Sequence, residues 1–225
     1  MSGSPLLAPS GFADQPIGSI AAALPGAAAL FRRHKLDFCC GGATSLADAA
    51  AARGIGLAEL EGELAALEPQ VPVAPEETEA LIDHILERYH AVHRAELPEL
   101  IRLARRVEAV HREHHAAPAG LADLLETIEA ELTEHQAKEE QILFPLMRAG
   151  GHPMIVHPIA RMREEHEAHG ANLAEILVLT NDITPPAEAC NSWRALYAGL
   201  AKFAEDLTEH VHLENNLLFP RFTDA

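Results

Sequence analysis

A histidine and a glutamate four residues apart occur twice in this chain, as His135/Glu139 and His210/Glu214. On a helix that gap sets both side chains on one face, with Cβ atoms about 5–6 Å apart, close enough to serve one metal centre. A single such pair is ordinary exposed helix surface and stabilises weakly. Here the pairs sit in two copies of one motif, LTEHQAKEEQILFP (132–145) and LTEHVHLENNLLFP (207–220), 75 residues apart and identical at eight of fourteen positions. In each copy Leu-Phe-Pro carries the same face into an apolar core, and the proline is expected to stop the helix. A carboxylate facing a core without compensation costs several kcal/mol, so two of them on matching stripes call for a cation.

Further imidazoles repeat at an offset of 76: His90 matches His166, and His93 matches His169. Leu86, His90, His93 and Leu97 share one helical face, as do Met162, His166, His169 and Leu173. Both pairs therefore point inward, and spacing alone does not choose between His90/His166 and His93/His169. Four imidazoles and two carboxylates form a mixed nitrogen and oxygen set. Six ligands with bridging carboxylates suit two non-haem iron or manganese ions better than a closed tetrahedral zinc site. Open coordination positions would admit dioxygen, nitric oxide or an oxo bridge.

Cys39 and Cys40 form a second reactive feature, in ALFRRHKLDFCCGG (29–42). Neighbouring Cα atoms lie about 3.8 Å apart, below the usual disulfide range of about 4.4–6.8 Å, so the two are read as thiols. Arg32, Arg33, His34 and Lys35 just upstream are expected to lower a thiol pKa. Gly41 and Gly42 permit an exposed turn. A role in redox chemistry or metal delivery competes evenly with two small buried residues. Cys190, near the start of the last helix, is read as structural. His111, His114, His115, His152 and His157 fall in connections and are expected in solvent. His84 and His212, on the ligand-bearing helices but without repeat partners, are read as surface or as neighbours of the ligands.

These residues need helices to hold them. Helical periodicity runs through roughly 76–107, 121–148, 157–179 and 187–219, with breaks near Pro118/Gly120, Gly150-Gly151/Pro153 and Pro185-Pro186. Nothing requires a strand. The expected architecture is all-α: an antiparallel four-helix bundle over 77–225. A small helical domain over 1–68 carries the Cys-Cys-Gly-Gly turn on short helices near 17–24, 27–34, 46–53 and 57–67. Prolines 69, 72 and 75 mark a linker over 69–76.

Composition narrows the partners. Asp plus Glu number 34 against 17 Lys plus Arg, a formal charge of −17, which argues against nucleic acid or an anionic membrane. No apolar run reaches the roughly 20 residues of a membrane helix, and no leader pattern opens the chain, so a soluble cytoplasmic protein is expected.

Taken together, DQPIG (14–18), ALFRRHKLDFCCGG, RYHAVHRAELPEL (88–100), HQAKEEQILFP, TPPAEAC (184–190) and HVHLENNLLFP give the chain a resemblance to the repair-of-iron-centres di-iron proteins, which pair a cysteine-bearing N-terminal domain with a hemerythrin-like bundle. The resemblance implies two oxo-bridged non-haem irons per chain, held by His90, His135, Glu139, His166, His210 and Glu214, with the glutamates bridging; His93 and His169 then lie beside the ligands. It implies restoration of iron–sulfur clusters damaged by nitric oxide or oxidants, by iron donation or by nitric oxide reduction at the di-iron site, with damaged iron–sulfur proteins as partners and Cys39-Cys40 as a redox or handover element. Membrane and nucleic acid have no part in it, and a homodimer is compatible with it. The competing expectation is a hemerythrin-like sensor or carrier of dioxygen or nitric oxide without turnover. Gly170 stands four residues after His166, where oxygen carriers place a second histidine, and Glu214 replaces their later aspartate; both departures weaken a transport role.

Overall fold

The computed structural model describes residues 11–67 and 74–223; most of the Pro-rich linker lies outside them. The chain divides into two compact units, Met1–Val73 and Ala74–Ala225.

In the first unit the helices are α1 (Ile17–Ala23), α2 (Ala27–Arg33), α3 (Leu46–Arg53) and α4 (Leu57–Ala65). Ile17, Ile20, Leu30, Phe31, Phe38, Leu46, Leu60 and Leu64 form their shared core. Gly26, at φ 93°, supplies the left-handed turn between α1 and α2. The first amides of α1 have no intrahelical acceptor, and those of Ile17 and Gly18 donate to the carbonyls of Thr44 and Gly42 at 2.9 Å. That pins the loop just after Cys40. Ser45 caps α3: its Oγ accepts from the Asp48 amide at 3.1 Å and donates to Asp48 Oδ2 at 2.7 Å. Ser45→Ala should cost about 1 kcal/mol, read as roughly fivefold faster amide exchange across α3; unchanged exchange would show that the cap carries no weight.

The second unit is an antiparallel four-helix bundle. Its helices are α5 (residues 78–111), α6 (residues 121–148), α7 (Val156–Leu179) and α8 (residues 191–218), followed by a last turn, Pro220–Thr223. α5 packs on α6 and α8, and α7 on the same two, so each helix has two neighbours around a common axis. Leu81, Ile85, Tyr89, Phe144, Met162 and Phe219 belong to the core at one end. α6 closes where Gly150 and Gly151, at φ 90° and 89°, let their amides turn back to Met147 and Leu146.

Two expectations about helix ends are corrected. α8 begins at Asn191, not near 187, because Cys190 is extended (ψ 169°) and serves as its N-cap. Pro145 does not stop α6. The turn Glu139–Leu143 is a π-helix whose last bond runs from the Phe144 amide to the Glu139 carbonyl, so Pro145 follows a widened turn and the helix continues to Arg148. Among the described residues no helix is long and apolar enough to cross a membrane.

Candidate metal centre

Three of the four bundle helices contain a π-turn, and each π-turn holds a candidate ligand: Leu86–His90 in α5, Glu139–Leu143 in α6 and Leu213–Leu218 in α8. A π-turn adds a residue to a helical turn and re-aims the side chains that follow, which is why such turns gather at functional sites. Periodicity did not reveal them.

The side chains aimed inward form two groups whose donor atoms all lie within 4.8 Å of one another: His90, Glu139, His210 and Glu214, and His135, Glu139, His166 and Glu214. Both glutamates belong to both groups. All six residues are buried, with at most 1% of their surface exposed. Facing imidazoles converge through Nε2, His90 to His210 at 3.1 Å and His135 to His166 at 3.2 Å. Neither Glu139 oxygen makes a hydrogen bond, although His90 and His135 each bring Nε2 to 3.4 Å. Opposed imidazole nitrogens around two buried carboxylates, that of Glu139 without a hydrogen bond, are poor protein–protein contacts and suitable metal donors, so the residues present fit a cation.

Electrostatics point the same way. Burial and the nearby Glu214 push the Glu139 pKa up, but His135 and His90 outweigh them and hold it at about 2. Glu214, also buried, is held well below the usual carboxylate range by His210 and His166. Burial lowers His135, yet Glu139, Glu214 and Glu165 raise it to about 9. Both carboxylates therefore stay ionised at neutral pH, as metal ligation requires.

The outer nitrogens of the rings are also held. His90 Nδ1 meets Glu140 at 2.9 Å, His135 Nδ1 meets Glu165 at 2.9 Å, and His166 Nδ1 meets Asn215 Oδ1 at 3.0 Å. With Nδ1–H donated outward, Nε2 presents its lone pair inward. Arg94 neutralises Glu140 at 2.7 Å, and Lys138 does the same for Glu165. Sequence reasoning missed Glu140, Glu165 and Asn215. Their only signal was adjacency, since each stands next to a ligand in the chain.

His93 and His169 lie in the same layer but outside both groups. They are buried, and neither ring nitrogen of either has a partner. His93 packs against His210 and Phe203 at 5.5 Å, and His169 against His135 at 4.9 Å. A cleft of about 430 Å³ between α5 and α6 reaches His93 past Arg94, Leu97, Thr133 and Gln136.

Among the remaining histidines, His152 and His157 are exposed as expected, but His111 and His114 are not fully in solvent. Their rings pack on Trp193 at 4.8 and 5.4 Å, because α5 runs to His111, past its expected end. His212 is buried and bonded to Asn216 at 2.9 Å. Cys190 is exposed, with Sγ 3.2 Å from His111 Nε2.

The cysteine turn departs from expectation. Arg33 and His34 both bind Glu63 at 2.8 Å and do not serve the thiols. Asp37 lies against the sulfurs, 3.4 Å from Cys39 Sγ, with the two sulfurs 3.8 Å apart. The thiol contact with Cys40, then burial, then Asp37 raise the Cys39 pKa, opposite to the lowering expected from the basic run. Asp37, Cys39 and Cys40 lie close enough together to hold a metal. A Cβ at Gly41 would meet the Asp37 carbonyl at 2.8 Å, so glycine is what allows this closure. At pH 7 Cys39 should alkylate at least tenfold more slowly than a free cysteine, about one tenth of the usual thiolate or less, and Asp37→Asn should speed it. Alkylation at the rate of a free thiol would contradict the geometry.

A bundle that gathers four imidazoles and two carboxylates at one level defines a hemerythrin-type cation-binding protein, and residues 81–222 match the hemerythrin HHE cation binding domain. Residues 13–68 match a domain of unknown function, DUF542. The chain is 47% identical over 214 residues to the iron-sulfur cluster repair protein YtfE of Dickeya chrysanthemi, covering 93% of this chain and 97% of that one. It is 47% identical over 215 residues to YtfE of Yersinia pseudotuberculosis, with the same coverage. A probable iron-sulfur cluster repair protein of Haemophilus influenzae is 46% identical over 216 residues, again 93% and 97% of the two chains. The chain belongs to this family of iron–sulfur cluster repair proteins, and its hemerythrin domain implies iron as the bound metal.

Proposed function

We propose that this chain restores damaged iron–sulfur clusters in other proteins, using a di-iron centre in the bundle and the thiols of the first unit. The observation that carries the reading is the sharing of Glu139 and Glu214 by two His₂Glu₂ groups. Each group would hold one metal ion, His90 with His210 and His135 with His166, and Glu139 and Glu214 would serve both. When bound, iron supplies one-electron chemistry and open positions for dioxygen or nitric oxide.

The protein's own residues prepare the site. Glu140, Glu165 and Asn215 fix ring orientation through Nδ1 and leave Nε2 of His90, His135 and His166 as the atom turned toward the metal position. Phe144 and Phe219 stack on His90 and His166 at 5.8 and 5.9 Å, which keeps bulk water from those rings. In the first unit, Asp37, Cys39 and Cys40 offer a mixed oxygen and sulfur donor set. Cys39 stays protonated when empty, and a metal arriving there displaces the proton, since a coordinating thiol is deprotonated. That makes the turn a receiving site whose occupancy depends on metal and not on a standing thiolate. It is suited to iron handover, with damaged iron–sulfur proteins as clients.

The test is recovery of activity by an iron–sulfur enzyme whose cluster has been destroyed by nitric oxide. Full chain loaded with iron should restore it. Cys39→Ser with Cys40→Ser should slow recovery at least about tenfold while leaving bundle iron in place, since the bundle ligands do not include them. Undiminished repair by the serine variant would remove the cysteines from the mechanism, and no repair by the loaded wild-type chain would remove the function.

A further inference from the structure

The internal repeat makes the two halves of the centre comparable residue by residue, and the comparison exposes an inequality. His90 and His166 correspond, and their Nδ1 partners correspond as well: Glu140 in one half, and 75 residues later Asn215 in the other. For His135 the Nδ1 partner is Glu165 at 2.9 Å. The residue that corresponds to Glu165, 76 positions earlier, is Tyr89. Its ring stacks on His210 at 5.6 Å and 8°, offering a face where the other half offers a carboxylate. His210 Nδ1 is buried and has no hydrogen-bond partner. Three of the four rings are therefore anchored through Nδ1, and the outer side of His210 meets only the stacked face of Tyr89, its Nε2 facing Glu214 and His90.

Resting on the di-iron reading above, we infer that the two metal positions are unequal and that the His90/His210 position gives up its ion first. An outer acceptor raises the basicity of an imidazole and fixes its orientation, and losing such a partner typically costs 10–100-fold in metal affinity. In the His135/His166 position both rings have an acceptor, one of them a carboxylate clasped by Lys138 at 2.7 Å and Arg161 at 2.9 Å. In the His90/His210 position only His90 has one. The shared glutamates serve both positions equally and cannot produce the difference, so it lies in the outer nitrogens. Glu140 and Glu165 are thus positioning residues, each acting on one position only. Iron destined for a client would leave from the His90/His210 side, with the second ion remaining to hold the bundle.

The experiment is anaerobic removal of iron by a coloured ferrous chelator from reduced, fully loaded chain, followed by stopped-flow absorbance, with total iron per chain measured first. Wild type should lose iron in two equal phases differing about tenfold or more in rate. Glu165→Gln should accelerate the slower phase about tenfold and bring the two together, whereas Glu140→Gln should accelerate only the faster one. A general loosening of the bundle would speed both phases alike, and thermal unfolding of each variant checks for it. One phase from a wild-type chain that starts with about two irons overturns the inference while leaving the di-iron reading intact, and so does either variant acting on the opposite phase. About one iron at full loading instead overturns the di-iron reading itself.

Discussion

Glu139→Ala will strip both irons from the chain, not one. Glu139 lies in both donor groups, so its loss leaves each position with two imidazoles and a single carboxylate, and it removes one of two negative charges facing the metals. His90→Ala deletes a ligand from one group only and should leave about one iron per chain, whereas Glu139→Ala and Glu214→Ala should each fall from about two to well under one. Metal analysis after gel filtration reads the difference directly. Stability gives an independent check. A ligand at about a thousand times its dissociation constant adds about 4 kcal/mol to the folded state. The loaded wild-type chain should therefore melt well above the chelated one, and Glu139→Ala should melt at the same temperature with or without iron. Circular dichroism of the metal-free variant checks that it folds, because Glu139 also offsets the charge of His135 and His90 there. Full iron in Glu139→Ala would mean that the two groups do not share this residue.

The two His/Glu pairs of the candidate set were legible because a side chain's position along a helix is local information. His135 with Glu139, or His210 with Glu214, occupies one face whatever the rest of the chain does, and duplication separated those pairs from ordinary surface. His90 against His93 could not be settled that way. Both fall on the inward stripe, both are buried, and the choice depends on which ring reaches the level of Glu139 once α5, α6 and α8 are packed. The π-turn ending at His90 sets that level, and 3.6-residue periodicity does not describe it. The outer partners were hidden for the same reason: Glu140 reaches His90 from another helix, 50 residues away in the chain.

The cysteine turn failed differently. Counting four basic residues upstream ignored where the chain sends them. α2 ends at Arg33, and its last-turn cation and cap turn to Glu63 on α4. The reversal that follows brings Asp37 to the thiols. Sequence proximity measures charge along a line, whereas a thiol responds to charge within a few ångströms, and here the two disagree in sign. The consequence for reactivity is that Cys39 is poorly poised to attack an electrophile.

Acid should unfold the metal-free bundle through His93 and His169 before it reaches the carboxylates. Burial, reinforced by the positive charge of neighbouring imidazoles, depresses His93 to about 2 and His169 to about 3. Both are 3% exposed or less, and neither has a hydrogen bond to offset the cost of charging. An unfolded histidine titrates near 6.5, so these two groups contribute stability in full above that pH. Their contribution is lost as pH falls, because the unfolded chain takes up protons that the folded one refuses. At pH 4.5 two units separate ambient pH from the unfolded value, which is about 3 kcal/mol for each histidine and comparable in sum to the whole stability of a typical domain. Burial lowers His210 and His84 as well, so they add to the loss in the same direction; Glu139 and His135 behave differently. Glu139, held at about 2, loses its contribution only between the ordinary carboxylate range and pH 2, and His135, raised to about 9, contributes fully below 6.5 and loses it as pH rises toward 9. The unfolding midpoint of metal-free protein, followed by Trp193 fluorescence, should therefore lie between about pH 4 and 5. His93→Leu with His169→Leu replaces each ring by an apolar side chain of similar, slightly larger volume and different shape, and leaves all six candidate ligands in place. That pair should shift the acid midpoint down by about one unit while costing about 1–3 kcal/mol at pH 7 from imperfect packing. An acid midpoint unmoved by the double substitution would assign acid unfolding to the carboxylates instead.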